Sequence, residues 1–251
     1  MTHKKELSGK VALITGAGKN IGRSIALSLA AAGCAVAVNT RASRKEAEDV
    51  VKAIRDVGGQ AEVFMADVSD GPAVQGMVEG IVKRFGRLDI AVLNAAYRKD
   101  VSFEDMDFDE WRRAISVTLD GAFHCAKASL PHLIKAGGGS IITFAGHKAL
   151  SSRPGKAHVS ASKHGIVGMT RVLARELARH GIRVNCISPG PIHTDLTDTP
   201  HIKKTGAGDV PLGRQGRPEE IAAMVRFLCG PEGTFITGQT MHINGGTQMT
   251  S

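Results

Sequence analysis

Aromatic residues are scarce in this chain: one tyrosine, one tryptophan and eight phenylalanines make up 4% of 251 residues. Nucleic-acid recognition by stacking on interleaved aromatics is therefore disfavoured, although the net charge of +8 would permit nucleic-acid binding. The basic residues are also scattered, with no dense tract. They read as a solvated basic surface with a few phosphate contacts for a nucleotide. Cysteine is equally sparse. Cys34, Cys125, Cys186 and Cys229 are too widely spaced for a small disulfide framework or a zinc knuckle, so no metal site is expected. Each reads as a small buried apolar residue in a reducing cytosol. No apolar run follows the lysines of the N-terminal MTHKKELSGK, and no apolar stretch reaches spanning length. Neither a signal peptide nor a membrane anchor is expected, and the chain is assigned to the cytoplasm. Repeats, low-complexity tracts and inter-domain linkers are missing too, which points to one domain over residues 1–251.

What the chain does have is a strand–glycine–helix unit at its start, Val11–Gly22, reading VALITGAGKNIG. The apolar strand Val11–Ile14 breaks at Thr15-Gly16, and a helix begins near Ile21. Such a turn exposes backbone N–H groups and points the positive end of a helix at an anion. Gly16 and Gly18 permit the tight turn, and Gly22 lets the helix approach the strand. The glycine spacing departs by one residue from G-x-G-x-x-G, so alone it is a weak signal.

Further strands are predicted at Ala35–Asn39, Ala61–Ala66, Leu88–Leu93, Ser140–Ala145, Ile182–Ile187 and Thr240–Ile243. Helices are expected at 23–32, 43–57, 72–85, 108–135, 160–180 and 218–228. This alternation predicts an α/β fold, a Rossmann-type doubly wound parallel sheet of about seven strands with helices on both faces. The irregular stretch 188–216, rich in Pro, Gly, Thr and His, reads as a substrate-binding loop.

Several segments in the expected order resemble the short-chain dehydrogenase/reductase family, from about Leu7 to Gly246, and in particular its 3-oxoacyl-[acyl-carrier-protein] reductase-like members. Thr15, Gly16 and Gly22 match its T-G-x-x-x-G-x-G turn. Asn20 stands where a glycine is expected and tolerates the left-handed backbone that position requires. Asp67-Val68 resembles the pair that contacts adenine, and Leu93-Asn94-Ala95-Ala96 the N-N-A-G stretch. Ser188-Pro189-Gly190-Pro191-Ile192 with Thr194 resembles the segment over the nicotinamide. Arg217–Ala222 and Asn244-Gly245-Gly246 are also similar.

The resemblance implies a nicotinamide cofactor held by Gly16, Gly18, Lys19, Asn20, Ile21, Gly22, Thr40, Arg41, Asp67, Val68, Asn94, Ala95, Lys163, Pro189, Gly190, Ile192 and Thr194. A carboxylate at the end of the second strand would favour NAD. Here Val38-Asn39-Thr40-Arg41 ends the strand and Lys19 lies in the glycine turn, so two cations favour the 2′-phosphate of NADP over NAD.

The family's catalytic set of Asn, Ser, Tyr and Lys is not reproduced. Lys163 is in place, but Thr118 stands at the asparagine position, Gly146 at the serine and Val159 at the tyrosine, one helical turn before Lys163. Valine and glycine side chains carry no transferable proton. Tyr97, beyond the fourth strand, and His147, expected in a loop after Gly146, are the candidate substitutes. His158, next to Val159, is rotated off that face. Losing a general acid and an oxyanion donor together costs on the order of 5 to 9 kcal/mol of barrier. Little turnover on simple ketones is expected. An NADP-dependent oxidoreductase with a rebuilt acid/base is the first reading. A lyase or isomerase on the same fold, or an inactive NADP-binding protein or partner subunit, stays open. The family also implies pairing of the long helices 108–135 and 160–180 between subunits, hence a homotetramer with a dimer as runner-up. A small-molecule substrate is expected, with no nucleic-acid or membrane partner.

Overall fold

The computed structural model describes residues 5–151, 153–194 and 210–249, with only the backbone at Lys148. Seven strands form one parallel sheet: β1 Val11–Ile14, β2 Ala35–Thr40, β3 Gln60–Met65, β4 Ile90–Leu93, β5 Gly139–Phe144, β6 Ile182–Pro189 and β7 Thr240–Ile243. Their spatial order is β3-β2-β1-β4-β5-β6-β7. The order reverses between β1 and β4, and the crevice at that switch point is where such sheets take ligands.

The helices are α1 Asn20–Ala31, α2 Arg44–Asp56, α3 Gly71–Phe85, α4 Phe108–Ile115, α5 Gly121–Lys135, α6 His147–Leu150, α7 Ala157–Leu177 and α8 Pro218–Cys229. Strand periodicity sorts them into two layers. Ala12 and Ile14 of β1 face a core shared with Ile25, Leu29, Ile54 and Val225. Val11 and Leu13 face the opposite core with Val74, Ile81, Leu133 and Ile166. Both faces are apolar because both are covered, which is why the strands read as continuous hydrophobic runs. Local signals set several helix starts. Asp70 accepts from Ala73 N at 3.0 Å and Asp107 from Glu110 N at 2.7 Å, each satisfying an otherwise orphaned donor.

Two expectations need correction, and one gains detail. The stretch 108–135 is helical throughout as expected, with a π-helical segment, Ser116–Asp120, joining α4 to α5 within it. A π segment keeps the helical hydrophobic pattern, so periodicity does not reveal it. The strand predicted to end at Ile187 continues through Pro189, so the irregular segment begins later than Ser188. Its middle, 195–209, lies outside the described residues. His147 does not lie in a loop but opens the one-turn helix α6, too short to leave a periodic trace.

Candidate functional site

The carboxyl ends of β1 and β4 are joined by side chains of the two motifs. Ala95 N donates to Thr15 Oγ1 at 3.0 Å, while Asn94 Nδ2 donates to Thr15 O at 3.0 Å and Gly16 O at 3.1 Å. Two carbonyls fix the amide orientation, leaving Asn94 Oδ1 buried without a partner. Gly16 and Asn20 have φ of +63° and +53°, the left-handed conformation that glycine and asparagine adopt most readily. A Cβ on Gly22 would stand 2.3 Å from Gly16 O and 2.9 Å from Ala17 Cα, so the helix can approach the turn only as glycine. Gly18 is buried with its α-carbon facing the first turn of α2. Ile21 is 6% exposed in the core, so only its backbone is available to a ligand.

The end of β2 differs from its reading as two cations without a carboxylate. Lys19 and Arg41 are both exposed, but Arg41 Nη1 lies 3.5 Å from Asp67 Oδ2, supplied by the neighbouring strand. Strand pairing brings these sequence-distant groups together. Asp67 Oδ1 also accepts from Ser69 N at 2.9 Å and Ser69 Oγ at 2.7 Å. Partial burial would raise its pKa, but these bonds and Arg41 outweigh it and hold the carboxyl below its usual range. Asn39 is structural, with Nδ2 donating to Phe64 O and Ala66 O. Thr40 Oγ1 accepts from Ser43 N at 3.3 Å. Val68 packs on α5, where a Cβ on Gly121 would meet its Cγ2 at 2.7 Å.

Gly190 has a packing reason of its own. A Cβ there would lie 2.4 Å from Asn244 Cα, and Gly190 N donates to Ile243 O at 2.8 Å. The Pro189-Gly190 and Asn244-Gly245 motifs thus fit against each other. Ile192 is buried and forms a parallel bridge with Gly216, and Thr194 follows at the last described position before 195–209.

Lys163 is 5% exposed on α7, with Nζ donating to Phe144 O at 2.5 Å. Burial, and then the positive charge of Arg98, bring its pKa down to about 7. Val159, one turn earlier, is buried as well. Gly146 follows β5 with φ 165°, extended backbone open to any residue, and no atom lies within 4 Å of a Cβ built there. Next to it, His147 Nδ1 faces Pro189 O at 3.2 Å. A carbonyl only accepts, so Nδ1 carries the proton and Nε2 is the acceptor of the neutral ring. His147 therefore sits between the ends of β5 and β6.

Tyr97 is held elsewhere. Its hydroxyl donates to Glu110 Oε1 of α4 at 2.6 Å, and its N–H donates to the buried Thr118 Oγ1 at 3.1 Å. Lys99 Nζ reaches Glu110 Oε2 at 3.1 Å, and the ring of buried His158 meets Tyr97 edge-on at 6.3 Å. Burial, then the Glu110 carboxylate, raise the Tyr97 pKa, while the Tyr97 bond is the largest influence lowering that of Glu110. Burial lowers that of His158, so its ring is held neutral more readily than usual. Glu110, Arg98 and Lys156 were not singled out in the sequence. The charged run Arg98-Lys99-Asp100 directly after β4 was the available signal.

An all-parallel sheet, a glycine turn at its switch point and a helix N-terminus above that turn define a Rossmann-type α/β protein. Residues 16–248 match the family described as enoyl-(acyl carrier protein) reductase. The chain is 40% identical over 242 residues to the 3-oxoacyl-[acyl-carrier-protein] reductase FabG of Staphylococcus aureus, covering 96% of this chain and 98% of that one. The corresponding reductase of Synechocystis is 37% identical over 244 residues, covering 97% and 98%. Among solved structures, a short-chain dehydrogenase from Burkholderia cenocepacia in complex with NADP has 34% identity and a TM-score of 0.91, over 96% of this chain and 99% of that one. A short-chain dehydrogenase/reductase from Serratia marcescens gives 34% and 0.91, over 97% and 100%. The chain belongs to the short-chain dehydrogenase/reductase family of oxidoreductases.

Proposed function

We propose that this chain is an NADP-dependent oxidoreductase that interconverts a carbonyl and an alcohol, using an acid/base other than the tyrosine employed in its family. The observation that carries this reading is Lys163, buried on α7 with Nζ bonded to Phe144 O at the end of β5, with valine at 159 one turn earlier and glycine at 146, in a fold that keeps its glycine turn. The turn fits a dinucleotide: Gly22 lets the N-terminus of α1 pack directly behind Gly16, and Asn94 Oδ1 is a buried acceptor without a protein donor. Gly16–Gly22, Asp67, Asn94, Ala95, Lys163 and Pro189–Thr194 would hold NADP, with Lys19 and Arg41 at its 2′-phosphate. The NADP bound in the Burkholderia cenocepacia relative supports that choice. When bound, the cofactor supplies or accepts the hydride.

The proton is the part left to this chain. His147 Nε2 is the first candidate: with Nδ1–H turned to Pro189 O, Nε2 would accept the alcohol's proton in oxidation and, as the imidazolium, return it to the carbonyl oxygen in reduction, and Gly146 leaves open space beside the ring. Tyr97 ranks second, since its hydroxyl is committed to Glu110. His147→Ala is expected to slow carbonyl reduction by about 100-fold or more, with NADPH titration unaltered, and Tyr97→Phe to leave the rate near wild type. The reverse pattern would move the role to Tyr97. The absence of a transferable proton at positions 146 and 159 favours, as second reading, a nucleotide-binding subunit without turnover. NADPH that binds yet is never oxidised across a panel of ketones and oxo acids would select it.

We further propose one dinucleotide-binding domain with 188–216 as its substrate segment, assembled as a homotetramer. Phe108 of α4, Phe123 of α5 and Val172 of α7 are 73%, 52% and 54% exposed, leaving apolar side chains on the helices expected to pair. A mass near 26.4 kDa by light scattering would rule the assembly out. No helix among the described residues is long and apolar enough to cross a membrane.

A further inference from the structure

No step of the proposed reaction uses one buried pair of titratable side chains, Glu110 of α4 and His158 in the first turn of α7. Glu110 gives both carboxylate oxygens to the segment that follows β4. Its Oε1 accepts from the Tyr97 hydroxyl at 2.6 Å and its Oε2 from Lys99 Nζ at 3.1 Å. His158 is fully enclosed, and neither ring nitrogen makes a hydrogen bond of ordinary geometry. Nε2 stands 3.8 Å from Glu110 Oε1, beyond hydrogen-bond reach, and the ring meets Tyr97 edge-on. A buried imidazole without a partner is costly, and a proton on it costs more.

The segment held by Glu110 walls the cleft at the carboxyl end of the sheet. It leaves β4 beside the glycine turn, where Ala95 N bonds Thr15 Oγ1, and crosses to the connection between α6 and α7, where Val101 N donates to Gly155 O at 3.0 Å. Between these points Tyr97 N donates to Thr118 Oγ1 at 3.1 Å and Lys156 Nζ to Arg98 O at 2.9 Å. The charges around His158 are largely committed. Lys156 pairs with Asp100, which also lies 3.7 Å from Arg153. The Lys99 backbone faces the ring, and Arg113 of α4 faces the Tyr97 hydroxyl. Both Glu110 oxygens are already bonded. Burial is the largest influence on the ring and lowers its pKa, with the Glu110 and Asp100 carboxylates opposing. A protonated ring therefore needs water, and water reaches it when the segment lifts.

We propose that Glu110 is a positioning residue for this wall of the cleft and that His158 is the group through which acid releases it. A neutral ring is compatible with the closed segment, whereas the imidazolium is hydrated only in the open one. The open form binds the extra proton, so the closed form is fully favoured above the ordinary histidine pKa of about 6.5 and loses ground as pH falls below it. Each pH unit below that value multiplies the open population by up to about ten while the enclosed ring stays neutral. The inference rests on the oxidoreductase reading only in treating the cleft as a substrate site.

Hydrogen exchange of the full chain without nucleotide tests it, read at the Tyr97 and Val101 amides by fragment-resolved mass spectrometry and divided by the intrinsic rate at each pH. Protection of both amides is expected to fall about tenfold or more between about pH 7.5 and about pH 5, while the amides of β5 keep theirs. His158→Gln, which takes no proton, should remove that change, and His158→Phe replaces it should the glutamine variant fail to fold. Glu110→Gln keeps an acceptor for Tyr97 but loses the charge, and should lower protection of both amides about tenfold at about pH 7.5. Wild-type protection that does not change with pH overturns the proposal. So does a fall that survives substitution of His158, or unaltered protection in Glu110→Gln. None of these measurements involves NADP, so their failure leaves the nucleotide reading where it stood.

Discussion

Replacing Gly22 with alanine tests the glycine turn against a built-in control. The third residue of α1 gains up to about 1 kcal/mol of helix propensity on going from glycine to alanine. Against this, the new methyl group would lie 2.3 Å from Gly16 O and 2.9 Å from Ala17 Cα. Both are backbone atoms, so no rotamer change relieves the contact, and either α1 or the turn must move by roughly 1 Å to restore an ordinary separation. Overpacking of this kind costs about 1–3 kcal/mol. With backbone contacts this close the cost falls at the upper end and the clash wins by about 2 kcal/mol, so Tm should fall by roughly 4–8 °C at 2–4 °C per kcal/mol for a chain of this size. Moving the turn also misaligns the N–H groups offered to the phosphates, so NADP affinity should drop about tenfold or more. Gly146→Ala is the control. Its extended backbone and open surroundings predict a stability within about 0.5 kcal/mol of wild type. Thermal unfolding and nucleotide titration of both variants decide. Gly22→Ala with wild-type Tm and wild-type NADP affinity would refute the reasoning.

Arg41→Ala is expected to weaken NADP by about ten- to a hundredfold, the value of a charge-assisted bond, while leaving NAD unchanged. The exposed Arg41–Asp67 contact at 3.5 Å is worth little and yields readily to a phosphate. An equal loss for both nucleotides, or a wild type stabilised more by NAD than by NADP, would contradict this. Lys163 makes a prediction in pH. Its folded pKa of about 7 lies below the unfolded value of 10.5, so the unfolded chain holds more protons between these limits and stability rises with pH across them. Relative to Lys163→Met, the cofactor-free wild type should gain on the order of 2 kcal/mol between pH 7 and 9, measured by denaturant unfolding. A constant difference between the two proteins would show that the lysine is not desolvated.

The sheet was legible because strands buried on both faces leave uninterrupted apolar runs, and the span of β1 and β7 read from the sequence is the span observed. The glycine turn was legible for a related reason: glycine is required where backbone passes backbone, as Gly22 does over Gly16. The π segment at Ser116–Asp120 was not, since one extra residue in a turn does not interrupt a helical pattern. Contacts between distant segments were also hidden. Nothing in the sequence around Arg41 announces Asp67, and nothing around Tyr97 announces Glu110, because strand order and helix packing make those pairs.

The central claim is that a competent nucleotide fold has lost the two groups that hold and protonate a substrate oxygen. NADPH oxidation with simple ketones, by the wild type and by the double variant Gly146→Ser with Val159→Tyr, tests it most directly. Position 146 has room for the serine. The account predicts little turnover by the wild type and a gain of about 100-fold or more in the variant, the worth of a positioned general acid. A wild type that reduces simple ketones at about 10 per second, unaffected by the two substitutions, would contradict it.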